Sequence, residues 1–416
     1  MTPILALLLQ TVVVVSVARG VGAVFRRFGQ PRVIGEMVAG LLLGPSFLGR
    51  VAPGAARFLF APASLDMLNT LSQFGLVLFM FLVGIRLHPG HLRTNSRLVL
   101  MTSYTSMLLP FALGIAFAAA VSRQFGVAGP AFLPFVLFVG LSLSITAFPV
   151  LVRIVAEHDL TSTRLGTVAI ACAAFDDVTA WVALALVTSL GHASGVSLGA
   201  SLLWLAAYGA AMLTIVRPGL RWQLRRMAHD DGRLAVMLIA ALGSAAATEW
   251  LGIHPLFGSF FLGALMSREA GDTALYTERI EPLTLLLLLP LFFAFTGLRT
   301  NLYLLTSPWI VAETGIVIAV AVLGKAAGPL LVARRFGFST REAMALGALL
   351  NTRGLVELVV LNIGLESGLL PLPLFAMLML MALVTTAMTS PLLRRLGYPS
   401  GRDATTRVRR DTQAAV

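Results

Sequence analysis

The chain has 416 residues, of which 57% are hydrophobic and 12% charged; a soluble domain of that size carries about a quarter charged residues. The single Cys172 excludes an internal disulfide and a cysteine-built metal cluster. A net charge of +12 would suit a nucleic-acid partner, but the arginines gather in alternate loops between apolar runs, as the positive-inside rule expects of a membrane protein. No nucleic-acid partner and no cofactor are expected.

Apolar runs near the ~20 residues that cross a bilayer recur from end to end. The reading is an all-α integral membrane protein with about 13 transmembrane helices and the lipid bilayer as its surroundings. In chain order the spans fall at about 4–25, 31–49, 68–87, 98–122, 131–155, 163–189, 196–219, 233–251, 253–267, 280–298, 307–334, 341–367 and 372–395. The N-terminus lacks the basic start and small-residue cleavage site of a signal peptide, so the first span is expected to stay attached. Loop clusters Arg26/Arg27/Arg32, Arg93/Arg97, Arg221/Arg225/Arg226 and Arg334/Arg335/Arg341 put the N-terminus outside and the C-terminus in the cytoplasm of a cell (inner) membrane. The basic tail with Arg402, Arg407, Arg409 and Arg410 reads as a solvated end near anionic lipid.

Two stretches look alike. "FMFLVGIRL" (79–87) closes the third span and "FFAFTGLRT" (292–300) closes the tenth, aligning Gly84 and Arg86 with Gly297 and Arg299. One span earlier, Gly35 and Gly40 echo Gly258 and Gly263. Each pair lies seven spans apart, an odd number that inverts orientation, so the pattern reads as two inverted repeats, a common build of secondary transporters. The repeat pairs span five with span twelve, and both read as interrupted. Span five carries "SLSITAFPV" (142–150), with Ser144, Thr146 and Pro149; a mid-helix proline removes a backbone donor. Span twelve carries Asn351, Thr352, Arg353 and Gly354 at mid-membrane depth. Unwound backbone is tolerated there only where it lines a cavity or is buried in protein, and matching interruptions in two halves mark a midplane binding site.

Span six holds "CAAFDDVTAW" (172–181). A carboxylate at the bilayer centre costs at least ~2.5 kcal/mol, so Asp176 and Asp177 need a partner, a proton or an ion. Neighbours on a helix point about 100° apart; one is free to pair with a fixed cation while the other lines a cavity. Lys325, the only lysine among 31 basic residues, is the candidate partner. A buried ammonium can release its proton near neutral pH and a guanidinium cannot, so Lys325 reads either as a proton carrier or as a static anchor for Asp176. The hydroxyl of Thr146 and the carbonyls freed beside it suit Na⁺ or K⁺; Ser144 is the weaker ligand, and local capping of the break is the alternative for both. Arg353 and Glu357, at i and i+4, read as bracing the break of span twelve. Glu36, Glu249 and Glu313 lie near span ends and read as interfacial or solvated. His254, before Pro255, reads as a helix cap.

"PRVIGEMVAGLLLGPSFLG" (31–49), "SITAFPVLVRI" (144–154), "FDDVTAW" (175–181), Lys325 and "NTRGLVELVVLNIGLE" (351–366) together resemble monovalent cation:proton antiporter family 2. The resemblance implies a thirteen-span inverted-repeat fold with two crossing broken helices, and a homodimer. It implies scaffold and dimerisation helices over 1–90 and 233–305, and ion-transporting core helices over 98–189 and 307–395. A linker helix and cytoplasmic loop then fill 190–232, and a short basic tail 396–416. It implies that Asp177 binds cation and proton in competition, that Asp176 pairs with Lys325, and that Thr146 is a ligand on the first broken helix. Potassium-efflux members gated by glutathione have Gln where Asp176 stands and a long cytosolic nucleotide-binding domain; the departure from both leans towards Na⁺, with K⁺ also carried by relatives of the same pattern.

The implied activity is therefore exchange of Na⁺ or K⁺ for H⁺ by a secondary transporter, not an enzyme. An intramembrane aspartyl protease would need its two acids on facing helices to share a water. A sodium-coupled organic anion carrier of similar crossed-helix fold is the closer rival; it would need a basic anion clamp, for which Arg353 is the candidate. A gated channel is the third.

Overall fold

The computed structural model describes residues 2–86, 96–191, 198–227, 229–267 and 274–399. Arg93, Arg402, Arg407, Arg409 and Arg410 lie outside the described residues. Among the described residues the secondary structure is helical throughout. The helices are α1 (Pro3–Arg27), α2 (Arg32–Leu43), α3 (Leu48–Val51), α4 (Pro53–Leu59), α5 (Pro62–Ile85), α6 (Ser96–Val121), α7 (Phe132–Ser144), α8 (Phe148–Glu157), α9 (Arg164–Gly191) and α10 (Leu198–Ala211). They continue as α11 (Arg217–Arg226), α12 (Asp230–Trp250), α13 (Pro255–Met266), α14 (Ala274–Leu283), α15 (Leu289–Leu298), α16 (Pro308–Arg335), α17 (Thr340–Leu350), α18 (Leu355–Glu366) and α19 (Leu372–Arg395).

Twelve helical segments of the described residues are long and apolar enough to cross a membrane, counting α7 with α8 and α17 with α18 as one span each. The chain is a multi-pass membrane protein. The ninth expected span, 253–267, corresponds to α13, which has only 12 residues. At about 1.5 Å per residue it reaches roughly 18 Å, short of the ~30 Å hydrocarbon thickness. A second difference concerns Arg221, Arg225 and Arg226, which lie on α11 rather than in a loop: the helix runs past the apolar stretch and carries its basic end with it.

Local chemistry sets the ends and irregularities. Ser339 and Glu342 form a reciprocal capping box at the start of α17, with Ser339 N donating to Glu342 Oε2 at 2.8 Å. His254 caps α13 by accepting from Leu256 N at 3.4 Å, as its position implied. Two π-helical turns, Met212–Val216 and Thr284–Leu288, join α10 to α11 and α14 to α15. Pro218 and Pro290 each follow two residues beyond them. A proline supplies no amide and crowds the carbonyl four residues back; the widened turn takes up both effects.

The helices divide into two compact units. The first contains α1 up to Val21, the chain from Glu36 through α5, and the stretch from Leu184 to Asn301; the second contains Gly22–Gly35, α6 to Ala183, and the chain from Leu302 onward. In the first unit α5 packs on α13, and α2 packs on α15, through glycines. A Cβ added at Gly84 would meet Phe260 O at 2.2 Å, and one at Gly263 would meet Phe81 O at 2.4 Å. A Cβ at Gly40 would meet Ala294 O at 2.3 Å, and one at Gly297 would meet Gly40 C at 2.6 Å. Four of the six glycines aligned by sequence thus meet in two equivalent crossings. The helix ends agree as well: Arg86 (φ −81°, ψ −10°) and Arg299 (φ −81°, ψ −11°) terminate α5 and α15 with the same backbone bonds.

In the second unit two spans are interrupted. α7 ends at Ser144 and α8 starts at Phe148, leaving Ile145, Thr146 and Ala147 unwound. Pro149 sits in the first turn of α8, where its missing amide has no intrahelical role. It therefore starts a half-helix rather than cutting one, and the break lies before it. α17 ends at Leu350 and α18 starts at Leu355, leaving Asn351 to Gly354 unwound. The two breaks touch: Ala147 N donates to Thr352 O at 2.9 Å. α8 packs on α17 and α7 on α18, so the broken helices cross at their interruptions. Gly354 serves this approach, since a Cβ there would meet Val150 Cγ2 of α8 at 2.7 Å.

Candidate functional site

The crossing brings together most of the polar residues singled out from the sequence. Thr146, in the break of the first interrupted span, is completely buried. Its hydroxyl lies 2.8 Å from Asp176 Oδ2 and 3.1 Å from Leu350 O, and Lys325 Nζ donates to it at 2.6 Å. One hydroxyl proton serves only one acceptor at a time, so Thr146 can bond Asp176 or the last carbonyl of α17. Lys325 Nζ stands 3.6 Å from the same Asp176 oxygen, with both side chains fully buried. The expected Asp176–Lys325 pair is present, and Thr146 sits between its members. Local capping is excluded for Thr146. For Ser144 it holds: its hydroxyl donates to Leu141 O one turn back at 2.8 Å and takes no part in the cluster.

A third helix completes the surroundings of Asp176. Ser106 on α6 donates to Oδ2 at 3.2 Å, and Ser103, one turn before it, donates to Cys172 O at 3.3 Å. Neither serine was singled out from the sequence. The signal was available in "TSYTS" (102–106), a polar run inside an otherwise apolar span.

Asp177 is different. It is 1% exposed, and neither carboxylate oxygen has a hydrogen-bond partner among the described residues. The backbone amide of Phe148, first residue of α8, is directed at it without reaching full hydrogen-bond geometry. A helix start presents the positive end of the peptide dipoles. Ala147 and Phe148 thus link the break of span twelve on one side and Asp177 on the other. Asn351 Oδ1 and Thr352 Oγ1, in that break, are likewise buried and unpartnered. Buried polar atoms are almost always paired, so the unpaired carboxylate of Asp177 marks a candidate ligand site. Its donor set is hard oxygen, the type that suits alkali cations.

Arg353 and Glu357 brace the second break. Arg353 donates to Glu357 Oε2 at 2.8 Å, to Ser142 O at 2.8 Å and to Leu143 O at 2.5 Å. The guanidinium thereby neutralises a buried acid and satisfies the carbonyls that end α7, tying the two broken helices together. Thr386 of α19 holds the Arg353 backbone from both sides, accepting from its amide at 3.1 Å and donating to its carbonyl at 2.7 Å. Both terminal nitrogens of Arg353 thus serve the brace, while its buried Nε has no hydrogen-bond partner among the described residues.

The remaining acids divide. Glu249 is exposed, as expected. Glu36 and Glu313 are buried at 7% and 4% exposure rather than solvated. Glu313 accepts from Gln124 Nε2 at 3.2 Å, a partner from another helix end that the local sequence does not reveal.

A membrane-embedded bundle with two crossed broken helices around an unpaired buried carboxylate defines the class: an ion-exchanging secondary transporter. Residues 12–395 match the family model described as "Sodium/hydrogen exchanger, transmembrane". The chain is 39% identical over 404 residues to the Na(+)/H(+) antiporter NhaS4 of Synechocystis sp., covering 95% of this chain and 98% of that protein. It is 31% identical over 412 residues to K(+)/H(+) antiporter 1 of Saccharomyces cerevisiae, covering 96% of this chain and 47% of that protein. The chain spans about half the length of that yeast relative and nearly all of the Synechocystis one. Its fold is like that of the sodium proton antiporter MjNhaP1 from Methanocaldococcus jannaschii, with a TM-score of 0.68, 14% identity, and coverage of 95% and 98% of the two chains. The chain belongs to the sodium/hydrogen exchanger family, and is a cation/proton antiporter rather than an enzyme. The organic anion carrier finds no support in these likenesses.

Proposed function

We propose that Asp177 is the exchange group, holding either a proton or a monovalent cation in competition. The observation that carries this is its burial with both oxygens unpaired. A bare carboxylate is costly in low dielectric; a proton or an alkali cation neutralises it. Protonated Asp177 is neutral and crosses with the moving unit; a cation arriving from the other side displaces the proton. Thr146 and carbonyls of the broken helices supply the further ligands. When the cation draws on Asp176, the bond to Lys325 loosens, and Lys325 can release a second proton, which makes the exchange electrogenic. Each charge then gains ~2.3 kcal/mol per 100 mV of membrane potential.

The second compact unit, which holds the whole cluster, acts as the transporting core, and the glycine-packed first unit acts as the scaffold through which two copies pair. The two glycine crossings and the matching ends at Arg86 and Arg299 support an inverted repeat. Basic helix ends such as Arg26/Arg27, Arg334/Arg335 and Arg394/Arg395 support a cytoplasmic C-terminus in the cell's inner membrane. Na⁺ is the favoured cation and K⁺ the second. The relatives' names include both, so each is assayed.

The test is dequenching of a pH dye in everted vesicles on adding Na⁺ or K⁺. Asp177→Asn abolishes the signal with either cation; retained exchange in a folded variant overturns the assignment. Competition fixes the pH dependence as well. Raising pH removes the competing proton, so the apparent KM for the cation falls, approaching about tenfold per pH unit while the site is mostly protonated. A KM independent of pH breaks the shared-site reading.

A further inference from the structure

A groove of about 180 Å³ runs between α16, α17 and α19 of the second unit. Its walls are almost wholly apolar and come from three helical stripes. Val322, Ala326 and Leu330 recur every fourth residue on α16; Met388 and Leu392 do so on α19. Met344 and Ala348 line the α17 side, and the deep end closes on Asn351 in the second break. Met344 is 43% exposed, so the groove reaches the protein surface there.

Each stripe continues into an arginine at the same end. Four residues beyond Leu330 is Arg334, three beyond Leu392 is Arg395, and three before Met344 is Arg341. Residues three or four apart share a helix face. The three ends are neighbours: only Phe336 to Ser339 separate α16 from α17, and Arg341 Nε donates to Leu396 O just past α19. All three arginines are exposed. The acid nearest in sequence, Glu342, is engaged by Ser339 in the capping box. An apolar slot that reaches the surface at Met344, with three cations at one end, matches a chain with an anionic head.

We propose that this groove seats one acyl chain of an anionic phospholipid, whose headgroup is held by Arg334, Arg341 and Arg395. Basic pockets between transmembrane helices recognise such headgroups. The seated chain ends against Asn351, so lipid occupancy props the break between α17 and α18. The proposal does not depend on which ion Asp177 carries.

The test uses the full chain reconstituted with phosphatidylglycerol or phosphatidylcholine carrying the same photoreactive acyl chain. Phosphatidylglycerol labels residues 322–330, 344–348 and 388–392 in preference to the rest of the lipid-facing surface, and phosphatidylcholine labels them weakly. The pair Arg334→Gln/Arg395→Gln lowers phosphatidylglycerol labelling by about fivefold per arginine removed. Both side chains are exposed, so this pair folds even where Arg341→Gln, which loses its bond to Leu396, does not. Equal labelling by the two lipids, labels scattered over the surface, or labelling indifferent to the arginine changes each overturns the proposal.

Discussion

Both compact units bring helix backbones together at glycines, and among the described residues only the second adds fully buried ion pairs. In the first, helices approach until backbone meets backbone, at Gly40 with Gly297 and at Gly84 with Gly263. Its described ion pairs, Arg86–Glu281 and Arg279–Asp231, are at least partly exposed. In the second unit Gly140 and Gly328 likewise meet the backbone of α6, but two ion pairs are fully buried besides, and they hold together spans that have given up their own helical bonds. Apolar lipid supplies no hydrophobic force between helices, so association rests on close contact or on polar bonds. Close contact gives a rigid interface. Buried polar bonds give an arrangement that can be exchanged for another, and one carboxylate is left out of it for the cargo.

The sharpest way to break this contrast is Arg353→Gln. It leaves Glu357 charged and unpaired and deprives the Ser142 and Leu143 carbonyls of their donor. Removing one partner of a buried pair costs about 3–5 kcal/mol. The expected result is loss of the monodisperse peak in detergent; Arg353→Lys does not restore it, because a single ammonium cannot span all three acceptors. A variant that keeps wild-type thermal stability would show that the break needs no brace. Gly84→Val and Gly297→Val come next. Each added side chain collides with backbone, and overpacking costs about 1–3 kcal/mol or more. Both are expected to lower the melting temperature by similar amounts, as equivalent crossings require, while surviving protein keeps the wild-type KM for the cation. Unequal losses would count against the equivalence of the two crossings.

How much of this was legible in the sequence follows the same division. The glycines and the acid pair stand out against apolar composition, so the spans, the aligned glycines and the interruptions could all be read from one chain. The i, i+4 spacing of Arg353 and Glu357 likewise announced their bond, because it is local. What composition did not reveal is where non-local bonds end. Glu313 finds Gln124, some 189 residues away in the chain, and Ser106 finds Asp176 across 70. Pro149 misled in a different way: a proline is as compatible with starting a helix as with breaking one, and only the position of Thr146 ahead of it separates the two cases.

Thr146 and Ser144 give the finest test, since they lie two residues apart in the same unit, one in the break and one at the end of α7, and their hydroxyls bond different groups. Thr146 joins Asp176, Lys325 and the end of α17; Ser144 bonds its own helix. Thr146→Val keeps the volume and removes the hydroxyl, so Lys325 and Asp176 lose their shared bridge at a cost of about 1–3 kcal/mol, and the cation KM rises. Ser144→Ala loses one intrahelical bond of about 1 kcal/mol or less, with the carbonyl of Leu141 as its only bereaved partner, and the KM stays put. Measured side by side in the same vesicle assay, a KM shift in Ser144→Ala as large as in Thr146→Val would mean that the break responds to any polar loss nearby, and the hydroxyl of Thr146 would lose its special place beside the acid pair.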